Sequence, residues 1–278
     1  MTINSWLQNA IKKLDFASVP TARLDAEVLV ADLLHKDRSW LHANPDFILR
    51  KSDLRKLDEQ ISKRAGHEPL AYIRGKQEFY GRDFLVSPDT LTPRPETETM
   101  IDLLLNIMKN EKLTTHHSPL TVLDVGTGSG CIAVTAALEL SKLSNISYIG
   151  LDISEPALEI AKKNAKILGT TVKFKKFDLI SDDFTLQPLP YTIILANLPY
   201  VPNNFHINLA ASHEPGFAIF GGKDGLDYYR ILFKKVTDET KVVLTESLPP
   251  QHLELIKIAN NYGFKLLDSQ DLIHVFKR

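Results

Sequence analysis

From residue 120 onward, short apolar runs alternate with amphipathic stretches, and this alternation narrows the possible folds more than any other feature of the chain. "TVLDVG" reads as a strand and "GCIAVTAALEL" as a helix. "ISYIGLD" is the next strand. "SEPALEIAKKNAKILG" is the next helix, with Ser154 as its cap, Pro156 near its first turn and Gly169 as its stop. "TVKFKKFD" and "YTIILAN" follow as strands, then "GLDYYRILFKKVTD" as a helix, "KVVLTES" as a strand and "PQHLELIKIANNYG" as a helix. Strands that alternate with helices imply an α/β fold, with a largely parallel sheet covered on both faces. "FKLLDS" and "LIHVFKR" close the chain with almost nothing between them, so a final antiparallel pair is expected.

At 278 residues the chain is longer than one small core requires. Residues 1–75 read as an N-terminal helical bundle. Ile3, Leu7, Ala10, Ile11 and Leu14 fall at helical spacing. A second helix runs through "TARLDAEVLVADLLHK" with Thr21 placed to cap it, and a third through "KSDLRKLDEQISKRAG" with Ser52 as a candidate cap and Gly66 as its stop. Aromatic and β-branched residues around Gly81 predict a β-hairpin within 76–92, which joins the bundle to a domain spanning 93–278. That domain opens on a helix with Pro95 in its first turn.

Composition excludes several classes. The net charge of −1 gives no broad basic field for nucleic acid, and residues 1 to 82 are only mildly basic. A single cysteine, Cys131, rules out an internal disulfide framework or a cysteine zinc cage and reads as a small buried packing residue. His116, His117 and the other histidines show no metal-ligand spacing, so no metal is expected. No signal peptide and no membrane-spanning run is read, and a cytoplasmic setting fits.

"LDVGTGSG" follows a strand and opens a helix. Gly126 permits the tight turn, and Gly128 and Gly130 let backbone approach a ligand. Asp152 ends the next strand, 22 residues after Gly130, where a carboxylate can accept both ribose hydroxyls of an adenosine. Such a loop alone is a weak signal. Two details argue against a dinucleotide. The spacing is G-x-G-x-G, and Asp124 stands just before the loop, where it would repel a pyrophosphate but suit a ligand with positive charge. S-adenosylmethionine has a sulfonium and an ammonium and no phosphate. Asp178, at the end of the third strand, either reaches the adenine amino group or caps the turn "DLISDD".

"NLPY", residues 197–200, ends the fourth strand of this unit, since proline cannot continue a central strand. In an open α/β sheet, ligands bind beyond the carboxyl ends of the strands, so Asn197 faces the methyl donor. The Asn197 side-chain carbonyl and the Leu198 backbone carbonyl can each accept one N–H of an NH₂ group. Pro199 fixes where the Leu198 carbonyl points, and Tyr200 is placed to stack on a flat group. This suits methyl transfer to a weakly nucleophilic amide or aromatic amino nitrogen, by positioning rather than by a strong base.

"VLDVGTGSG", "GLD" and "NLPY" together resemble class I S-adenosylmethionine methyltransferases acting on amide or amino nitrogen. "GHEPLAYIRGKQEFYGRDFLVSPDTLTPRPETE" and "HEPGFAIFGGKDGLDYYR" resemble the release factor glutamine methyltransferase family (PrmC, or HemK), from about residue 5 to about residue 245. The resemblance implies a Rossmann-like, seven-stranded, mostly parallel sheet with an antiparallel C-terminal strand. It also implies methylation of the glutamine side-chain nitrogen in the Gly-Gly-Gln motif of peptide chain release factors. Carried onto this chain, Gly126, Thr127, Gly128, Ser129, Gly130 and Asp152 would hold the cofactor, with Leu179 at a cofactor-contacting position. Asn197, Leu198, Pro199 and Tyr200 would hold the glutamine amide. Phe79, Arg94 and Glu96 lie in family motifs near the site, although Arg94 and Glu96 are equally readable as a structural ion pair. The resemblance implies a protein partner; no direct nucleic acid and no membrane are expected, and the chain is expected to be a monomer.

The chain departs from the family at three places. Leu198 replaces a proline, "ESLPPQ" stands where a Glu-Ile-Gly-like stretch is usual, and the C-terminus differs. Asn-Leu-Pro-Tyr is also the form seen in rRNA adenine dimethylases, so an rRNA adenine N6-methyltransferase is an alternative. A non-catalytic binder with the same fold is another. The adenine dimethylases carry a basic surface and a C-terminal helical domain, neither of which is read here.

Overall fold

A computed structural model describes residues 1–110, 119–181 and 192–278; His116 and His117 lie outside the described residues. The chain forms two compact units. The first comprises Met1–Lys76 together with Ile207–His213. Its helix α1 (Ile3–Phe16) starts where the Thr2 hydroxyl accepts the Ser5 N–H at 3.2 Å, and it buries Ile3, Trp6, Ala10 and Leu14 at helical spacing. In α2 (Ala22–Leu34), Thr21 occupies the N-cap position, but its side chain makes no capping hydrogen bond. Asp37 caps α3 (Arg38–Ala43) by accepting the Trp40 N–H at 2.7 Å. Helix α4 (Lys51–Ala65) begins after Arg50, so Ser52 is a helix residue and not the expected cap; Gly66 ends the helix as anticipated. A short α5 (Leu70–Arg74) stops at Gly75, whose φ of 71° is left-handed. Arg64 donates to Asp25 at 2.6 Å inside this unit, so both buried charges are paired.

The second unit comprises Gln77–His206 and Glu214–Arg278. It opens on the hairpin of β1 (Lys76–Phe79) and β2 (Arg82–Leu85), whose turn residues Tyr80 and Gly81 both have positive φ, as a tight two-residue hairpin turn demands. A 3₁₀ turn at Pro95–Thr97 leads into α6 (Glu98–Asn110). The chain then runs through β3 (Leu120–Val125), α7 (Cys131–Glu139), β4 (Ile146–Asp152), α8 (Glu155–Ile167), β5 (Val172–Lys176) and β6 (Thr192–Ala196). It finishes with α9 (Asp227–Lys235), β7 (Thr240–Glu246), α10 (His252–Asn261), β8 (Lys265–Gln270) and β9 (Ile273–Lys277). Ser154 caps α8 as expected, accepting the Ala157 N–H at 3.3 Å.

The strands form one seven-stranded sheet in the order β5-β4-β3-β6-β7-β9-β8. The first five pair in parallel, and β9 runs antiparallel to both β7 and β8, which is the expected terminal pair. Central strands β3 and β6 are buried at every residue because helices cover both faces. Edge strand β8 is exposed along its whole length. The connection order reverses between β3 and β6: the chain first moves outward to β5, then returns to the other side of β3. A crevice opens beyond the carboxyl ends of strands at such a switch point. It collects the loop after β3, the end of β4 and the corner after β6.

Candidate active site

The loop after β3 is shaped by three left-handed glycines, Gly126, Gly128 and Gly130, with φ of 77°, 53° and 81°. The N–H groups of Gly126 and Thr127 both donate to the Leu151 carbonyl at 2.8 Å, which folds the loop back over β4. Gly126 and Gly128 line a cavity of about 510 Å³, within the usual range for a small-molecule site. Thr127 and Ser129 are buried behind the loop, and Gly130 packs it on α8, where a Cβ would lie 3.0 Å from that of Ala161. These three shape the loop rather than face the cavity.

Asp124 does not do what its position in the sequence suggested. It is fully buried and accepts hydrogen bonds from the Thr127 hydroxyl at 2.6 Å and the Ala133 N–H at 3.1 Å. It therefore ties the glycine loop to the start of α7 instead of meeting a cationic ligand. Burial pushes its pKa up to about 7, against the lowering effect of those two bonds.

Asp152 sits at the end of β4, as expected, and is among the residues that line the cavity. One carboxylate oxygen accepts the Gly128 N–H at 2.8 Å and the other the Ser154 N–H at 2.9 Å. Each oxygen keeps a lone pair for a further donor, such as a ribose hydroxyl. Burial raises its pKa. Asp178 also lines the cavity, although β5 stops earlier, at Lys176. It caps its own turn, accepting from the Ile180 N–H and the Ser181 hydroxyl at 2.9 Å each, and the backbone bond holds its carboxyl below the usual range. Leu179 is buried on the cavity wall.

Asn197 immediately follows β6. Its Nδ2 donates to Thr97 Oγ1 at 3.0 Å, the Thr97 hydroxyl donates to Glu246 Oε2 at 2.7 Å, and the Tyr200 hydroxyl donates to Glu246 Oε1 at 2.7 Å. Asn197 Oδ1 is buried and has no hydrogen-bond partner among the described residues. Leaving a buried acceptor unpaired costs about 1–3 kcal/mol, and such groups are rare enough to require an explanation. Asn197 is also among the residues that line the cavity. Glu246 ends β7 and is completely buried; burial pushes its pKa up, while the bonds from Thr97 and Tyr200 pull it down.

The rest of the corner is held from behind. Leu198 N–H donates to Tyr229 Oη at 3.3 Å, and the Tyr229 hydroxyl donates to the Glu246 carbonyl at 2.5 Å. Leu198 and Pro199 line the cavity. The Tyr200 ring packs instead against the apolar core behind the corner, so the stacking role expected of it gives way to anchoring Glu246. A Cβ on Gly221 would lie 2.2 Å from the Pro199 carbonyl oxygen, and one on Gly225 would lie 2.0 Å from that of Tyr200. The "GGKDG" loop therefore sits directly against the corner backbone.

Two residues from family motifs are placed differently from expectation. Phe79 is fully buried, packed edge-on against Phe84 with ring centroids 6.1 Å apart, and belongs to the apolar core rather than to a substrate surface. Arg94 pairs with Glu214, reaching both carboxylate oxygens at 2.9 Å, and not with Glu96, which is exposed in the 3₁₀ turn. Cys131 is a buried free thiol in the core, as read from the sequence. Among the described residues no cluster of three or more His, Cys, Asp or Glu side chains could hold a metal ion, and no helix is long and apolar enough to cross a membrane. Thr97, Tyr229, Glu246 and Gln251 were assigned no role from the sequence. Only Glu246 carried a signal there, as an acid ending a strand of the same sheet that Asp152 serves.

The sheet order, the glycine loop and the strand-end acid at the switch point define a class I methyltransferase. Residues 116–211 match a methyltransferase domain family, and residues 5–75 match the PrmC N-terminal domain. The chain is 39% identical over 245 residues to the release factor glutamine methyltransferase of Koribacter versatilis, covering 87% of this chain and 83% of that protein. It is 33% identical to the release factor glutamine methyltransferase of Agrobacterium fabrum, covering 96% and 92%. Among solved structures, the hMettl16 catalytic domain in complex with MAT2A 3′UTR hairpin 1 aligns with a TM-score of 0.52 at 13% identity, over 85% of this chain and 83% of that one, a likeness of fold. The chain belongs to the release factor glutamine methyltransferase family.

Proposed function

We propose that this protein transfers a methyl group from S-adenosylmethionine to the side-chain nitrogen of the glutamine in the Gly-Gly-Gln motif of peptide chain release factors. Family membership supports the reaction. The observation in the site that carries the reading is Asn197, which lines the cavity and whose buried Oδ1 has no hydrogen-bond partner among the described residues.

The cavity fits the cofactor. Gly126 and Gly128 present backbone to it, and a Cβ on Gly128 would meet nothing within 4 Å. Asp152 offers two carboxylate oxygens suited to ribose hydroxyls, with Asp178 and Leu179 on the adjoining wall. When bound, S-adenosylmethionine supplies an electrophilic methyl carbon on a sulfonium.

The residues of this chain do the positioning. Asn197 Oδ1 accepts one N–H of the glutamine amide and the Leu198 carbonyl accepts the other. Two acceptors on one NH₂ aim the nitrogen lone pair and favour its loss of planarity. No strong base is needed, because the methylated amide nitrogen sheds its proton to solvent after transfer. Held reactants and preset dipoles supply most of the rate. In this reading residues 1–75 grip the body of the release factor, 76–92 link, and 93–278 carry the chemistry, so that binding energy far from the reacting atoms helps place a weak nucleophile. The protein acts as a monomer in the cytoplasm, where its substrate resides, and without nucleic acid.

Mass spectrometry on a release factor incubated with the protein and S-adenosylmethionine tests the proposal. One added methyl on the Gly-Gly-Gln glutamine, absent with Asn197→Ala, is expected. Methylated rRNA with an unmodified release factor overturns it in favour of adenine.

A further inference from the structure

The amide of Asn197 is useful only if its oxygen, and not its NH₂, faces the cavity. Turned about its terminal bond, the same side chain would present two N–H groups to an incoming N–H, and neither could accept. The choice between these orientations is made by neighbouring hydrogen bonds.

Here the direction of the chain of bonds is set from its far end. Glu246 is fully buried and accepts at both carboxylate oxygens, from the Tyr200 hydroxyl and from the Thr97 hydroxyl, each at 2.7 Å. The single Thr97 proton is thereby committed to Glu246. What remains on Thr97 toward Asn197, 3.0 Å away, is a lone pair. Only an N–H can meet it, so Nδ2 turns to Thr97, and Oδ1, on the other arm of an amide that lines the cavity, is left without a partner among the described residues. The reverse orientation would set two oxygens with no proton between them at hydrogen-bond distance inside the protein.

Resting on the amide-nitrogen reading above, we propose that Glu246 is a positioning residue: acting through Thr97, it holds the Asn197 amide with its oxygen toward the substrate, although it touches neither substrate nor cofactor. The Tyr200 hydroxyl keeps the carboxylate in place from the other side, which gives the aromatic member of "NLPY" its part in the same device.

Reversing the polarity of the chain of bonds tests this. Glu246→Gln supplies an N–H that donates to Thr97, so the Thr97 proton turns toward position 197 and favours the flipped amide. Turnover is expected to fall about 100-fold, the scale of misplacing a reacting group, with S-adenosylmethionine affinity unchanged. Adding Asn197→Asp to Glu246→Gln places an acceptor where the reversed chain needs one and again offers an oxygen to the substrate, so the double variant is expected to exceed Glu246→Gln alone by about 10-fold. Thr97→Val should lose turnover as Glu246→Gln does, and Thr97→Ser should keep most of it; this pair decides the matter if Glu246→Gln does not fold.

A readout independent of substrate is the side-chain amide resonance of Asn197 in the cofactor-bound protein. One Nδ2 proton should be protected from exchange in the wild type and unprotected in Thr97→Val. If the wild type leaves release factors unmethylated, the functional reading fails and this resonance still decides the positioning role. Wild-type turnover in Glu246→Gln, or in Thr97→Val, overturns the role while leaving the function intact.

Discussion

The side-chain Nε2 of Gln251 lies 2.6 Å from the carbonyl oxygen of Tyr200 and donates to it, while also donating at 2.7 Å to the carbonyl of Asp224. One amide thus joins the end of the Asn-Leu-Pro-Tyr corner to the glycine-rich loop packed against it. Gln251 Oε1 also accepts the Leu248 N–H at 2.9 Å, so every part of that side chain is used. Removing it strands two carbonyls. Gln251→Ala is expected to cost about 1–3 kcal/mol, read as a lower denaturation midpoint. Turnover should fall more than S-adenosylmethionine affinity, because the corner and not the cofactor loop loses its brace.

Gly126 and Gly128 separate two effects of adding a methyl group. A Cβ at Gly126 would lie 3.2 Å from Leu198 Cδ2, between the glycine loop and the Asn-Leu-Pro-Tyr corner, at a φ of +77°. A Cβ at Gly128 would meet nothing within 4 Å, leaving only the strain of its φ of +53°, roughly 1–2 kcal/mol. Gly126→Ala is therefore expected to lower both cofactor affinity and turnover. Gly128→Ala should mainly weaken cofactor binding, since that glycine faces the cavity. Calorimetric titration beside steady-state kinetics distinguishes the two.

Asp124 makes stability depend on pH in a calculable direction. Burial raises its pKa from 3.8 to about 7 in the folded protein. Between those values the native state holds a proton that the unfolded state releases, so this group's contribution to stability is present at low pH and is lost as pH rises toward 7. Asp124→Asn removes the titration but keeps an acceptor for the Thr127 hydroxyl. The difference in melting temperature between wild type and Asp124→Asn should shift against the wild type from about pH 4 to about pH 7 and level off above that.

Phe79 offers a clean contrast between packing and recognition. Fully buried against Phe84, it should behave as a core residue. Phe79→Ala is expected to cost about 3–5 kcal/mol, and Phe79→Leu distinctly less. The KM for the release factor should be unchanged in Phe79→Leu. A large rise in that KM without a loss of stability would return Phe79 to the substrate surface.

Much of this was legible because it is written locally. The β/α alternation announces the sheet, the glycine loop sits between a strand and a helix, and Asp152 and Asn197 each end a strand, which places both at one edge of the sheet. What stayed hidden depends on distance along the chain. Thr97 meets Glu246 across 149 residues and Gln251 meets Tyr200 across 51, and no periodicity encodes either pairing. Asp124 misled for a different reason. Its place before a glycine loop suggested a face toward the ligand, yet the side chain is fully buried and its Oδ2 accepts the Thr127 hydroxyl and the Ala133 N–H from inside. Arg94 and Glu96 are neighbours in a motif, but the backbone between them turns through Pro95, and the arginine finds its carboxylate at Glu214 instead.

The bond between Thr97 and Glu246 also has a temporal consequence. Its two ends leave the ribosome 149 residues apart, and the later one belongs to β7, which pairs with β6 at the middle of the sheet. Asn197 is made well before Glu246, but the carboxylate that orients it arrives only when that strand docks. A nascent chain that has completed its glycine loop and its Asn-Leu-Pro-Tyr corner therefore still lacks the carboxylate to which the Thr97 hydroxyl donates, and that bond closes only after β7 has been made.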